Sequence, residues 1–73
     1  MIKRVLITGG NGYFGEKVVE SFINLKYSCS VLDINPINSN LSNKVKFIQA
    51  DIRDKSAVIK SCKGIDIVVH CVA

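Results

Sequence analysis

The stretch Arg4-Val5-Leu6-Ile7-Thr8-Gly9-Gly10-Asn11-Gly12-Tyr13-Phe14-Gly15 decides the fold of this chain. A short apolar, β-branched run passes directly into glycines, which predicts a buried strand of a parallel sheet and then a tight turn. Gly9, Gly12 and Gly15 are evenly spaced where this strand meets a helical pattern. Gly9 would allow the turn, Gly12 would let a phosphate approach the backbone, and Gly15 would let the helix approach the sheet. The stretch therefore predicts a pyrophosphate-binding loop at a helix start.

Two other interpretations of the glycines are weaker. If they served only a tight turn, their fixed spacing between a strand and a helix would be unexplained. A phosphate loop of the nucleoside-triphosphatase kind needs Gly-Lys-Ser/Thr after its spacer, and that sequence does not occur here.

The remaining pattern alternates strands and helices, which predicts a parallel sheet with right-handed crossovers. The apolar periodicity predicts a helix from Tyr13 to Lys26, and Asp54 and Gly64 are placed to begin and end a second helix through about Cys62. Further strands are predicted at Ser28 to Asp33, Val45 to Gln49 and, as a buried strand, Ile65 to Val72, with an exposed loop over residues 34–44. The fold class is α/β, an incomplete Rossmann-type sheet (βαββαβ) with expected strand order 3-2-1-4. We therefore expect residues 1–73 to be the amino-terminal part of one nucleotide-binding domain.

Two aspartates follow predicted strands at the edge where a ligand would bind. Asp33 lies 18 residues beyond Gly15. This is close to the separation of roughly 20 residues expected for a carboxylate that binds an adenosine ribose. It would repel a 2′-phosphate, and no arginine or lysine occupies positions 34–43, so NAD(H) is favoured over NADP(H). A strand-end aspartate before a turn is the alternative. Asp51 is placed to meet the adenine amino group, although a turn or capping role explains it nearly as well.

Composition narrows the function classes. The net charge of +4 is spread along the chain without a clustered basic stripe, which argues against nucleic-acid binding. Cys29, Cys62 and Cys71 make an odd count without CxxC spacing, so no disulfide framework or metal site is predicted, and a cytoplasmic or cytosol-facing location is expected. No run approaches the length of a membrane helix. His70 is expected to be a hydrogen-bonded core residue and Cys71 a packed thiol.

At this point the chain resembles a known family, the extended short-chain dehydrogenase/reductases. Within them it is similar to the 3β-hydroxysteroid dehydrogenase/isomerase and sterol-4-carboxylate dehydrogenase group. The matching stretches are Val5 to Gly15, Val31-Leu32-Asp33-Ile34, Lys46-Phe47-Ile48-Gln49-Ala50-Asp51-Ile52-Arg53 and Asp66-Ile67-Val68-Val69-His70-Cys71-Val72-Ala73. They cover nearly the whole chain in the family's order, and sugar-nucleotide epimerases look similar over the same region.

The resemblance implies NAD as the cofactor and assigns a role to each matching position. It implies a pyrophosphate loop made of Gly9, Gly12, Tyr13, Phe14 and Gly15. It also implies that Asp33 binds the ribose, that Asp51 and Ile52 contact adenine, and that Cys71, Val72 and Ala73 line the cofactor at the end of the fourth strand.

No catalytic residues are predicted in this chain. The family transfers hydride with a Tyr-x-x-x-Lys pair, whereas the two tyrosines here are Tyr13, in the glycine loop, and Tyr27, which Val31 follows four residues later. We therefore expect a fragment of an NAD-dependent oxidoreductase that acts on a steroid-like 3-hydroxy substrate. The parent's substrate site, and any membrane association through a carboxyl-terminal region, would lie outside these residues. The alternatives are a non-catalytic nucleotide-binding or regulatory module and a fragment of a sugar-nucleotide epimerase/dehydratase.

Overall fold

The computed structural model describes residues 2–37 and 40–71. In chain order the elements are β1 (Arg4–Thr8), α1 (Tyr13–Asn24), β2 (Ser28–Asp33), β3 (Lys46–Gln49), α2 (Lys55–Ser61) and β4 (Ile67–His70). The strands are parallel and lie in the order β3-β2-β1-β4. This confirms the predicted fold class and strand order.

Strand β1 occupies the centre of the sheet and carries the core. It pairs with β2 on one side and with β4 on the other. Val5, Leu6 and Ile7 are fully buried, as predicted for a central parallel strand. Because side chains alternate between the faces of a strand, Val5 and Ile7 belong to a cluster with Val19 of α1, while Leu6 lies on the other face. Helix α1 is thereby fixed across β1 and β2.

Helix α1 ends two residues earlier than predicted. Lys26 has a φ of 68°, the left-handed conformation that closes a helix, and its N–H donates to the carbonyl of Ile23. The Tyr27 N–H donates to the carbonyl of Phe22, and the two rings meet edge to face with centroids 5.0 Å apart. This pair of hydrogen bonds with an apolar contact is a Schellman motif. The helix end is thus set by an aromatic contact that its periodicity does not reveal.

The second half of the chain follows the predicted boundaries with small shifts. Strand β3 begins at Lys46, one residue later than predicted. Helix α2 is capped as predicted, because Asp54 Oδ1 accepts from the Ala57 N–H at 3.2 Å. Gly64 follows the helix with a φ of 72°.

The prediction that β4 is a buried strand from Ile65 to Val72 is wrong in its described part. Strand β4 runs only from Ile67 to His70, its residues alternate between exposed and half-buried, and Val68 is 53% exposed. Within residues 2–37 and 40–71, β4 pairs with β1 alone, and none of the residues of α2 is buried. Because β4 is paired along one edge and covered on one face, only about half of the strand is shielded from solvent. Val72 lies outside the described residues.

Replacing Lys26 with glycine should stabilise the chain. A left-handed residue with a side chain costs roughly 1 to 2 kcal/mol, and the extra chain entropy of glycine offsets roughly 0.5 to 1 kcal/mol of the gain. We expect Lys26→Gly to raise the free energy of unfolding by about 0.5 to 1 kcal/mol, measured as a higher urea midpoint at unchanged m value. In the interior of α1, Lys17→Gly should instead destabilise by about 1 kcal/mol. A loss of stability in Lys26→Gly would contradict the proposed helix end.

Candidate cofactor-binding site

The glycine loop packs its own backbone against the first turn of α1. Gly9 has a φ of 76°, and its N–H donates to the Leu32 carbonyl at 2.8 Å. A Cβ atom at Gly15 would lie 2.2 Å from the Gly9 oxygen and 2.9 Å from Gly10 Cα. The close approach at Gly15 is therefore between helix and loop, whereas the sequence predicted one between helix and sheet. A side chain at Gly15 would force the loop away from the helix.

Gly12 differs from the other glycines, because nothing inside the described chain requires a glycine there. Its φ of −78° and ψ of 169° suit any residue, and an added Cβ would meet only the Gly9 oxygen, at 3.8 Å. Without a side chain, Gly12 cannot cap α1. The first-turn N–H groups of Tyr13, Phe14 and Gly15 therefore have no side-chain acceptor at Gly12 to which they could donate. The bare backbone and the free donors together form a receptor for an anion.

The aromatic side chains beside this receptor are exposed to solvent. Tyr13 is 86% exposed and Phe14 is 70% exposed, and the Lys17 ammonium lies 6.0 Å from the centre of the Tyr13 ring. Their part in an anion site would therefore be played by their backbone N–H groups.

Asp33 joins the end of β2 to the glycine loop. The residue is buried, its Oδ2 accepts from the Asn11 N–H at 2.9 Å and its Oδ1 accepts from the Asn35 N–H at 3.0 Å. An ionised carboxylate offers about four acceptor positions, so about two remain. They can accept a pair of neighbouring hydroxyl groups, as on a ribose.

Asn11 and Gly10 hold the glycine loop in place, although neither is among the predicted site residues. Asn11 Nδ2 donates to the Asn35 carbonyl at 2.7 Å, so its backbone and side chain together tie the glycine loop to the turn after β2. At Gly10 an added Cβ would lie 2.6 Å from Val31 Cγ1, so this glycine is what lets the loop lie over β2. The role of Asn11 could have been predicted, because asparagine side chains in turns often form hydrogen bonds to nearby backbone groups.

Most of the predicted site residues come together in a cleft of about 440 Å³ at the carboxyl ends of the strands. Its lining includes Gly9, Gly12, Asp33, Asp51, Ile52 and Cys71 from the predicted set, together with Leu32, Ile34, Asn35, Ala50 and Arg53. Gly15 is buried beneath the loop, and Val72 and Ala73 lie outside the described residues.

A larger cleft of about 650 Å³ opens at the opposite edge of the sheet, between the strands and α2. It is lined by Arg4, Ser28, Ser30, Lys46, Ile48, Asp54, Ser56, Ala57, Lys60, Ser61, Lys63 and Ile65. Ligands of open α/β sheets bind at the carboxyl ends of the strands, where the glycine loop also lies. The smaller cleft is therefore the candidate site.

Asp51 is held by Arg53, two residues further along the same turn. The Arg53 Nη2 donates to Asp51 Oδ2 at 2.7 Å, and the Arg53 backbone N–H donates to Oδ1 at 2.9 Å. These hydrogen bonds lower the pKa of Asp51 to about 2 and raise the pKa of Arg53. Asp51 is therefore an ionised acceptor at any physiological pH.

The strand-4 residues carry no sign of catalytic chemistry. His70 Nδ1 lies 2.7 Å from Thr8 Oγ1, so the predicted hydrogen bond is present, but His70 is exposed and the prediction of a core position is wrong. The Cys71 N–H donates to the Thr8 carbonyl, and burial raises the pKa of its thiol. Because the thiolate is the reactive form, a raised pKa fits a packed thiol. Within residues 2–37 and 40–71, no three His, Cys, Asp or Glu side chains are grouped to hold a metal ion.

The Asp51–Arg53 pair predicts how acid affects stability. The pKa of Asp51 drops from 3.8 to about 2 on folding, so its contribution is fully present above pH 3.8 and is lost as the pH falls toward 2. We expect the chain to be more stable than Arg53→Ala at neutral pH and this difference to shrink across that window, as measured by urea unfolding. The Asp51 pKa, followed by NMR of its carboxyl carbon, should return toward 3.8 in the variant. A stability difference that does not change with pH would contradict the assignment.

Comparison with known proteins agrees with this geometry. The chain is 32% identical over 78 residues to the sterol-4-alpha-carboxylate 3-dehydrogenase, decarboxylating, of Dictyostelium discoideum, covering 99% of this chain and 23% of the relative. It is 31% identical, with a TM-score of 0.83, to a short chain dehydrogenase from Leptospira borgpetersenii with bound NAD⁺, covering 100% of this chain and 32% of that one. For Thermus thermophilus UDP-glucose 4-epimerase in complex with NAD, the identity is 32%, the TM-score 0.81 and the coverage 96% and 24%.

The chain spans about a fifth of the length of the curated relatives it matches. These matches confirm the resemblance to dehydrogenase/reductases. Because steroid and sugar-nucleotide enzymes both occur among the similar proteins, the assignment to the steroid subgroup stays a prediction. Residues 5–73 match the model of the "NAD dependent epimerase/dehydratase family". This chain belongs to that family.

Proposed function

We propose that this chain binds the adenosine diphosphate half of NAD(H). The observation that carries the proposal is the position of Asp33, whose buried carboxylate keeps about two open acceptor positions in the same cleft as Gly12 and the uncapped start of α1. A dinucleotide presents these two chemistries together, a pyrophosphate anion and a ribose with adjacent hydroxyls. Because Gly12 has no side chain, a phosphate can approach the loop backbone at that position without displacing one.

Each part of the ligand has a matching group in the chain. The pyrophosphate would lie against the backbone of Gly9 and Gly12 and would accept from the first-turn N–H groups of Tyr13, Phe14 and Gly15. The ribose hydroxyls would donate to Asp33. Adenine would lie against Ile52, with its amino group on Asp51. Cys71, Val72 and Ala73 would line the cofactor beyond the pyrophosphate.

The chemistry at Asp33 favours NAD(H) over NADP(H). A buried carboxylate repels the 2′-phosphate that distinguishes NADP(H), and positions 34–43 contain no arginine or lysine to bind that phosphate. The named structures from Leptospira and Thermus contain NAD, which supports the same choice.

We propose that the parent is an NAD-dependent oxidoreductase acting on a CH–OH group. The Dictyostelium relative supports a steroid-like 3-hydroxy substrate, and the Thermus structure supports the alternative, a sugar-nucleotide epimerase. Because these 73 residues contain no Tyr-x-x-x-Lys, we assign no catalytic role within them. A non-catalytic nucleotide-binding module would use the same cleft. Among the described residues no helix is long and apolar enough to cross a membrane, and the cytosol-facing location stays a prediction.

Cofactor choice tests the assignment of Asp33. Calorimetric titration should show tighter binding of NADH than of NADPH, and Asp33→Ala should lower the ratio of the two affinities by about tenfold or more, since hydrogen bonds to a charged group are worth roughly 1.5 to 3 kcal/mol. The ratio is informative even if the variant is less stable, because partial unfolding weakens both cofactors equally.

Asp66→Ala is the matched control. Asp66 Oδ2 also accepts a backbone N–H, that of Arg4 at 2.8 Å, but it lies at the amino edge of the sheet. Its removal should leave the NADH to NADPH ratio unchanged. Tighter binding of NADPH by the unmodified chain, or an unchanged ratio in Asp33→Ala, would show that the ribose assignment is wrong.

A further inference from the structure

The glycine loop contains the only asparagine of this chain that a glycine follows, in the pair Asn11-Gly12. Because glycine has no side chain to shield it, its backbone nitrogen can attack the carboxamide carbon of the preceding asparagine. The remaining asparagines, which are followed by bulkier residues or by proline, are Asn24, Asn35, Asn38, Asn40 and Asn43. This pair therefore marks one position of the loop where asparagine can be converted spontaneously to aspartate.

The conversion is a hydrolysis that needs water as its only co-reactant. The Gly12 nitrogen loses its proton and bonds to Asn11 Cγ, while the bond from Cγ to Nδ2 breaks and Nδ2 leaves as ammonia with that proton. Water then opens the resulting cyclic imide at one of its two carbonyls. The chain regains either a normal backbone with aspartate at position 11 or an isoaspartate linkage, in which the backbone runs through the side chain.

The closed loop opposes the first step of this conversion. Attack on Cγ puts negative charge on Asn11 Oδ1, yet this atom is buried and accepts from no donor within residues 2–37 and 40–71. A charge that develops at such an atom is stabilised neither by water nor by a hydrogen bond. The attacking group is also engaged, since the Gly12 N–H donates to the Gly9 carbonyl at 3.4 Å. The reaction therefore requires a loop that has opened to solvent.

An aspartate product would reverse the hydrogen bond that ties the loop to the turn after β2. Asn11 Nδ2 donates to the Asn35 carbonyl at 2.7 Å, and replacing this amide with a carboxylate sets two acceptors against each other. The new charge would also adjoin the Asp33 carboxylate, because Asp33 Oδ2 accepts from the Asn11 N–H at 2.9 Å. Both repulsions push the loop away from the turn.

An isoaspartate linkage would be equally disruptive, because it adds a carbon atom to the backbone of the loop. An added Cβ at Gly15 would already lie 2.2 Å from the Gly9 oxygen, so the loop and the helix leave no space between them. Either product also places a negative charge next to Gly12 and the first-turn N–H groups of α1, where an anion would bind.

We propose that Asn11 is a site of spontaneous deamidation, that opening of the glycine loop controls its rate, and that its products disable the anion receptor beside it. The site and its control follow from the loop alone, whereas the effect on a cofactor rests on the proposed function.

Mass spectrometry of proteolytic peptides tests the site and its control. We expect the peptide that contains Asn11 to gain the mass of deamidation at mildly alkaline pH, at least about tenfold more slowly in the native chain than in urea, because an opened loop is a minor state. Asn24, which Leu25 follows, is the internal reference and should stay unchanged. Gly12→Ala should slow the reaction even in urea, since its methyl group shields the nitrogen, and the folded loop has room for that group.

Addition of NAD⁺ tests whether the reacting state is the open loop. If the dinucleotide binds only the closed loop, it lowers the rate by the factor by which it stabilises that state, about tenfold at a concentration of about ten times Kd. Calorimetry supplies the Kd independently. NAD⁺ should leave the rate in urea unchanged, because the unfolded chain has no loop to close.

Two substitutions separate the effect of the new charge from that of the lost hydrogen bond. Asn11→Asp reproduces the aspartate product, and Asn11→Ala removes the same donor without adding charge. We expect Asn11→Asp to bind NAD⁺ at least about fivefold more weakly than Asn11→Ala, because like charges a few ångströms apart repel even in water. The difference between the two affinities should shrink at high salt, which screens that repulsion.

Each outcome bears on a different claim. An Asn11 peptide that stays unmodified in urea would overturn the site, and equal rates in urea and in the native chain would overturn control by loop opening. If NAD⁺ binds without slowing the reaction, or if Asn11→Asp binds it as well as Asn11→Ala does, the link to the anion receptor is wrong. If NAD⁺ does not bind at all, the proposed function fails, while the comparison with urea still decides whether loop opening controls deamidation.

Discussion

At Gly15 a single missing side chain lets the first turn of α1 lie against the loop that precedes it. A Cβ atom there would come within 2.2 Å of the Gly9 oxygen, a contact that no backbone can accommodate without moving. Because the loop and the helix touch, α1 starts directly above the end of β1 and crosses the sheet toward β2. The crossover then brings the end of β2, and with it Asp33, beside the loop. The arrangement of the cleft thus follows from one close backbone contact.

Asp33 serves both the fold and the site. Its hydrogen bonds from the N–H groups of Asn11 and Asn35 hold the loop against β2, and the same bonds keep a buried carboxylate oriented toward the cleft. A buried charge needs such partners, because burying it without them costs several kcal/mol. The glycine loop therefore supplies one of the hydrogen bonds that the carboxylate needs at this buried position, while the carboxylate fixes the loop. Removing the Asp33 carboxylate should therefore disturb the glycine loop, and altering the loop should disturb Asp33. For this reason the ratio of two cofactor affinities separates an effect on binding from an effect on stability better than a single affinity does.

How far the sequence predicts this structure depends on whether a feature is local. The strands and helices are predictable because apolar runs, glycines and helical periodicity all act over a few residues. The order of the parallel strands follows from the general rules for crossovers in this fold class. The end of α1 at Asn24 is not predictable in this way, since it depends on the contact between Phe22 and Tyr27. The bridging role of Asn11 depends on partners 22 and 24 residues away. The exposure of Val68 depends on what covers the sheet, which no pattern within the strand encodes.

The central claim is that the cleft at the carboxyl ends of the strands, built from the glycine loop and Asp33, is where a dinucleotide binds. Its most direct test is to follow the backbone amide resonances of the ¹⁵N-labelled chain by NMR while NAD⁺ is added. We predict the largest shift changes at Gly12 to Gly15 and at Ile34 and Asn35, with little change at Arg4 and Lys46 on the opposite edge. Changes centred on Arg4 and Lys46, with the glycine loop unaffected, would contradict the account.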